Sequence, residues 1–207
     1  MEIFCAALAL WGAKTNLTAR PQDPGAIAFH IVDSLTPLIL ELGQRLSPLP
    51  DQGNVPHIFA IRNRILDFGS GAGFPGLVLA SACEARFTLV EARRKRASFL
   101  TVVAAEMGLV NVELMTTRLA ASTLAPGFDA VVSRASGPAA EFYDIAASAL
   151  LPRGLAILYS SPSQRLDFAA AKKAGLSGHR SYRYSLRRGG TVTDRILSIW
   201  HKPEKHP

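Results

Sequence analysis

The stretch Leu66-Asp67-Phe68-Gly69-Ser70-Gly71-Ala72-Gly73-Phe74-Pro75-Gly76 decides how the rest of the chain is read. It is the end of an apolar strand, "RILDF" from Arg64 to Phe68, running straight into a loop of closely spaced glycines and then into an apolar helix beginning near Pro75. Glycine lets the backbone turn sharply and lets a ligand approach it closely, and proline suits a first helical turn because its missing N–H has no intrahelical partner to lose. In open α/β sheets such a strand–loop–helix junction lies beyond the carboxyl ends of the strands, where ligands bind.

The sequence around this junction supports that architecture. Strand-like segments at 64–68, 87–91, 112–116, 128–133, 155–159, 181–186 and 195–200 alternate with helix-like segments at 75–82, 94–107, 138–150 and 163–174. Such alternation implies right-handed crossovers and a largely parallel sheet covered on both faces. The last two strands are separated only by "RRGGTVTD", too short for a parallel return, so they predict an antiparallel hairpin turning at Gly189-Gly190. Upstream, Phe4, Leu8 and Trp11, then Ile27, Ile31, Leu35 and Leu38, keep helical spacing, with Pro21 and Pro24 between the two runs. Residues 1–50 are thus expected to form a helical extension, followed by the linker "SPLPDQGNVPH" and a single α/β unit over residues 60–207.

Composition narrows the class. At 207 residues and 48% hydrophobic content the chain can bury a full core, and no run is long and apolar enough to predict a membrane span. The opening "MEIFCAALALWGAKTN" lacks a basic region ahead of its apolar run, so a cytoplasmic protein is expected. Cys5 and Cys83 match no metal-ligand spacing and read as reduced, buried thiols; no metal is expected. The 23 Lys+Arg against 16 Asp+Glu leave a formal charge of +7, which raises the expectation of a polyanionic partner. The excess clusters at Arg93-Arg94-Lys95-Arg96 and at Arg180, Arg183, Arg187 and Arg188.

Two cofactors compete for the glycine loop. Gly71, Gly73 and Gly76 fit G-x-G-x-x-G, and Glu91 follows at the distance a dinucleotide fingerprint requires. The alternative begins earlier, with Asp67 heading G-x-G-x-G. S-adenosylmethionine has no pyrophosphate but carries an ammonium, a sulfonium and a ribose diol. An acid ending the first strand, Asp67, favours the cationic head directly or through water, and an acid ending the second, Glu91, accepts from the ribose hydroxyls. A carboxylate beside a pyrophosphate is repulsive, so Asp67 favours the methyl donor; its alternative role is to bond the loop amides.

At this point the chain resembles a known family, the bacterial small-subunit (16S) ribosomal RNA guanine-N7 methyltransferases, RsmG or GidB. The resemblance rests on "NLT" at Asn16 to Thr18, "HIVDSL" at His30 to Leu35, "LDFGSGAGFPG", and "FDAVVSRA" at Phe128 to Ala135, with "KRASFL", "GLVNV" and "TRLA" in matching order between the last two. It implies a class I, Rossmann-like S-adenosylmethionine-dependent methyltransferase fold. It also implies that Gly69, Gly71, Phe74, Leu119, Ala120 and Arg134 line the donor pocket, and that the partner is small-subunit ribosomal RNA or the ribosomal subunit. The chain departs from the family pattern in three places. Ala120 stands where an acid is usual, so a contact there would come from the backbone. Leu158-Tyr159-Ser160 replaces Leu-Lys-Gly, and no histidine follows Asp194-Arg195.

Chemistry agrees with that expectation. Guanine N7 carries a free lone pair and needs no general base, and no Ser/His/Asp or paired-carboxylate arrangement asks to be one. Enzymes that methylate exocyclic amines commonly carry Asn/Asp-Pro-Pro-aromatic after the fourth strand, where this chain reads Ser133-Arg134-Ala135. Arg134 is the expected positioning residue, as a donor to the cofactor carboxylate or to guanine, or else a structural partner of a strand-end acid. Arg93, Arg94, Lys95 and Arg96 at a helix start oppose its dipole, a cost that an RNA phosphate would remove. Lys14, Asn16, Arg187 and Arg188 are further candidates for RNA contact, with helix capping or a protected sheet edge as their alternatives. His30 reads as a structural hydrogen-bonding group. A small-molecule or protein acceptor, and a non-catalytic RNA-binding factor, remain the competing functions.

Overall fold

A computed structural model describes residues 1–46, 63–134 and 137–204. The expected linker and Ala135 lie outside the described residues, as does the side chain of Lys14, whose backbone forms part of the first helix. In chain order the elements are α1 (Glu2–Thr15), α2 (Pro24–Leu46), β1 (Arg64–Phe68), α3 (Gly76–Ala82), β2 (Arg86–Val90), α4 (Arg94–Glu106), β3 (Val112–Met115), β4 (Phe128–Arg134), α5 (Ala139–Ala149), β5 (Leu150–Ser160), α6 (Phe168–Lys173), β6 (Ser177–Arg188) and β7 (Thr191–His201). No described helix is long and apolar enough to cross a membrane.

The strands form one seven-stranded sheet in the order β3-β2-β1-β4-β5-β7-β6. The first five are parallel, while β7 runs antiparallel to both β5 and β6. Strands β1 and β2 are buried at every position but the first, as expected of strands covered on both faces. One core layer joins α1 to α4 with the sheet through Phe4, Leu8, Ile27, Leu77, Phe99 and Leu155. The other packs α5 and α6 on the opposite face through Phe142, Ile145, Ala171, Val131 and Trp200. Truncating one of these fully buried side chains to alanine costs about 2–5 kcal/mol. Chain order reverses between β1 and β4, which leaves a crevice at their carboxyl ends, the topological switch point of such sheets.

The hairpin predicted at "RRGGTVTD" is present, with Arg188 opposite Thr191. Two segments depart from the pattern. The helix expected over 163–174 begins only at Phe168, after a turn at 162–163; Asp167 caps it, its Oδ1 accepting from Ala170 N at 3.0 Å or less (2.9 Å). Strand β5 starts at Leu150, straight out of α5, because Arg153 adopts φ 68° and the register against β4 shifts before Leu155. Apolar periodicity carries neither signal.

Candidate active site

Two adjoining cavities occupy the switch-point crevice. The larger, about 370 Å³, is walled by the glycine loop (Gly69 to Ala72 and Phe74), by His30 and Asp33 of α2, by Arg134 and Tyr159 near the ends of β4 and β5, and by Arg195 within β7. The smaller, about 270 Å³, lies between Phe68, Val90, Glu91, Ala92, Leu119 and Glu141. Gly69 and Arg96 line both, so the two are halves of one cleft.

The loop takes its shape from backbone conformations that favour glycine: Gly69, Gly71 and Gly73 have φ of 75°, 57° and 89°. Two carboxylates hold it from opposite sides. Glu91, at the end of β2, accepts from Gly71 N at 3.0 Å through Oε2 and from Arg93 N at 2.7 Å through Oε1. It lines the smaller cavity and places a negative charge against the basic start of α4.

Asp67 corrects the expectation that it meets a cationic ligand directly. It is fully buried behind the loop and lines neither cavity. Its Oδ2 accepts from Gly76 N at 3.1 Å, while Oδ1 is buried with no hydrogen-bond partner. Burial pushes its carboxyl up to about 7, against a weaker opposing pull from the Ser70 and Gly76 hydrogen bonds. The alternative role, bonding loop amides, is the geometry found. Ala120 departs as well: it is exposed, lines neither cavity, and its carbonyl accepts from Thr123 N and Oγ1 at 3.0 and 2.9 Å.

Arg134 projects from the end of β4 into the larger cavity, its guanidinium carbon 4.8 Å from the centre of the Phe74 ring. Its partner is Asp33 of α2, at 3.2 Å from Nη1 to Oδ2, and no strand-end acid. The same Nη1 donates to His30 Nδ1 at 3.5 Å. Burial, reinforced by Arg134, lowers the His30 pKa to about 4, which makes the ring a neutral acceptor at physiological pH. Asp33 also accepts from Tyr184 Oη at 2.7 Å, and Tyr159 Oη donates to Ser34 O at 2.7 Å, so the "HIVDSL" segment is pinned to β5 and β6. Sequence reasoning took His30 as structural and gave Asp33 and Arg195 no role. An acid three residues from a histidine within an otherwise apolar helix was the available signal.

The basic residues divide. Arg93, Arg94 and Lys95 are exposed at the start of α4, whereas Arg96 turns into the cleft and donates to Asn16 O at 2.8 Å. Asn16, exposed and left-handed at φ 48°, ends α1. Arg187 is exposed, and Arg188 pairs with Asp23 at 3.6 Å.

A seven-stranded sheet of this order, with a glycine loop after β1 and an acid after β2 facing the crevice, defines a class I S-adenosylmethionine-dependent methyltransferase fold. Solved structures similar to it include the tRNA (m1A58) methyltransferase TrmI from Aquifex aeolicus, with a TM-score of 0.59 at 13% identity, covering 84% of this chain and 69% of that one. Precorrin-6y C5,15-methyltransferase from Geobacter metallireducens gives 0.57 at 16% identity, covering 70% and 82%. At such identities the likeness is one of fold. Sequence carries it further: the chain belongs to the GidB family, rRNA small subunit methyltransferase G, which matches residues 1–186. The ribosomal RNA small subunit methyltransferase G of Polynucleobacter asymbioticus is 33% identical over 170 residues, covering 81% of this chain and 70% of its own. That of Sorangium cellulosum is 32% identical over 213 residues, covering 99% and 81%.

Proposed function

We propose that this protein transfers a methyl group from S-adenosylmethionine to N7 of a guanine in small-subunit ribosomal RNA, acting in the cytoplasm on the ribosomal subunit or its RNA. The observation that carries this reading is a ligand-sized cleft at the switch point in which His30, Asp33 and Glu91, on the α2 and β2 walls, are unsuited to proton abstraction at neutral pH. His30 is lowered to about 4, Asp33 is ion-paired, and both oxygens of Glu91 are engaged by backbone N–H groups. N7 of guanine is a nucleophile that asks for no base.

The residues present fit the donor. Phe68, Val90, Ala92 and Leu119 offer apolar walls for an adenine, and Glu91 has remaining lone pairs for a ribose diol beside the Gly69–Gly71 backbone. When bound, the sulfonium supplies an activated methyl group for in-line displacement. The chain's own part is positioning and exclusion of water. Gly69, Gly71 and Phe74 shape the donor's side of the cleft, Asp67 keeps the loop closed from behind through Gly76, and Arg134 presents guanidinium N–H groups into the larger cavity. Arg93, Arg94 and Lys95, with Arg187 on the hairpin, are exposed cations that suit phosphate contacts, and Lys14, Asn16, Arg96 and Arg188 are further candidates, Arg96 being bonded to Asn16 O and Arg188 paired with Asp23.

The test is transfer of labelled methyl from S-adenosylmethionine to small ribosomal subunits that lack the modification, with 7-methylguanosine mapped by cleavage at the fragile base. Label at one guanine is expected. Label absent from subunits and from naked RNA, with the donor still bound, would move the substrate elsewhere.

A further inference from the structure

Arg195, on β7, lines the larger cavity. Its side chain is a quarter exposed (25%), its guanidinium carbon lies 5.3 Å from the centre of the Phe29 ring, and its Nε is buried without a hydrogen-bond partner, 3.7 Å from Asp33 Oδ2. That separation is too long for a hydrogen bond. Asp33 already accepts from Arg134 at 3.2 Å and from Tyr184 at 2.7 Å.

One buried carboxylate therefore faces two guanidiniums, with the neutral His30 beside them. The cluster carries an excess positive charge inside a partly dehydrated cleft. Such an excess is costly alone and is offset when a ligand brings an anion. The donor's carboxylate and an RNA phosphodiester are the two anions at hand, and position separates them. Arg134 stacks on Phe74 of the glycine loop, on the donor's side. Arg195 lies beside Phe29, opposite Tyr184 in the hairpin register, on the sheet face that also carries Arg188, opposite Thr191. It thus continues the basic hairpin into the cavity.

We infer that Arg195 binds a phosphodiester of the RNA next to the target base, and that Asp33 is a positioning residue holding Arg134 and Arg195 in place at the cleft. This rests on the methyltransferase reading above and deepens it.

The test compares wild type with Arg195→Gln and Arg195→Lys. It measures binding of transcribed small-subunit ribosomal RNA across a salt series, and binding of S-adenosylmethionine by calorimetry. Losing one single-stranded phosphate contact flattens the slope of log affinity on log salt by about 0.7. Arg195→Gln is expected to show that flattening, with RNA binding about tenfold weaker at low salt and donor affinity unchanged. Arg195→Lys restores the slope.

A methylphosphonate scan of the bound RNA, made on the wild type, needs no variant to fold. One neutral linkage is expected to weaken wild-type binding as Arg195→Gln does. An unchanged slope in a folded Arg195→Gln, a parallel fall in donor affinity, or no sensitive linkage would overturn the assignment. Wild-type protein that binds RNA but transfers no methyl group would remove the functional reading and leave Arg195 standing. Failure to bind RNA at all would remove both.

Discussion

Replacing Asp33 by asparagine tests the charge arrangement at the heart of the cleft. The substitution keeps size and leaves an acceptor for Tyr184 Oη, but it removes the carboxylate that, among the described residues, lies within ion-pairing distance of both Arg134 and Arg195, at 3.2 and 3.7 Å. At an effective dielectric of 20 the raw attraction at such separations is about 4–5 kcal/mol per pair, much of it spent on desolvation. Breaking a buried pair from one side nets about 3–5 kcal/mol of destabilisation, because the remaining charge stays buried. Here two cations remain, facing one another.

Arg134→Met behaves differently. It leaves Asp33 balanced by Arg195 and bonded to Tyr184, so its cost is expected nearer 1–3 kcal/mol. For a chain of this size each kcal/mol moves Tm by about 2–4 °C. Thermal unfolding followed by circular dichroism should therefore show Asp33→Asn melting about 6–20 °C below wild type and clearly below Arg134→Met. Added sulfate, an anion able to sit between the guanidiniums, should narrow the gap. A variant melting within 2 °C of wild type, on the order of 1 kcal/mol or less, would refute the reasoning, as would Arg134→Met being the worse of the two.

Three further outcomes follow from the loop. A Cβ on Gly76 would fall within van der Waals contact of Asp67 Oδ2 and Leu89 Cδ2 and 2.9 Å from Asp67 Cγ; Gly76→Ala should lose about 1–3 kcal/mol in chemical denaturation and weaken donor binding, and wild-type values for both would contradict the packing described. The Asp67 carboxyl sits at about 7 in the fold against 3.8 unfolded, so the native state holds the extra proton and this group's contribution to stability falls as pH rises from about 4 to 7. Asp67→Asn cannot titrate and should gain on wild type over that window, whereas a pH-independent difference in Tm would argue against the buried acid. Glu91→Gln leaves one acceptor for the two N–H groups of Gly71 and Arg93. Loss of a charge-assisted bond predicts at least about tenfold weaker donor binding by calorimetry, and unchanged affinity would remove Glu91 from the donor site.

What was legible in the sequence is what local pattern encodes. "RILDF" is apolar because both faces of β1 are covered, the first three glycines of "GSGAGFPG" mark backbone at positive φ, and "RRGGTVTD" is short because only a hairpin can close there. Those three features, with the alternation of elements, determined the sheet, the loop and the position of the cleft. The tertiary structure decided which side chains face it. Asp67 and Glu91 both stand at the ends of neighbouring strands and both are buried, yet one is sealed behind the loop and the other lines a cavity, a difference of placement that residue type does not encode. Asp33, Arg134 and Arg195 are far apart in the chain and meet only because α2 packs against the carboxyl end of β4 and the amino-terminal half of the antiparallel β7. An ion pair between distant residues leaves no periodicity, spacing or turn signal behind, because its energy depends on separation and dielectric, and packing sets both.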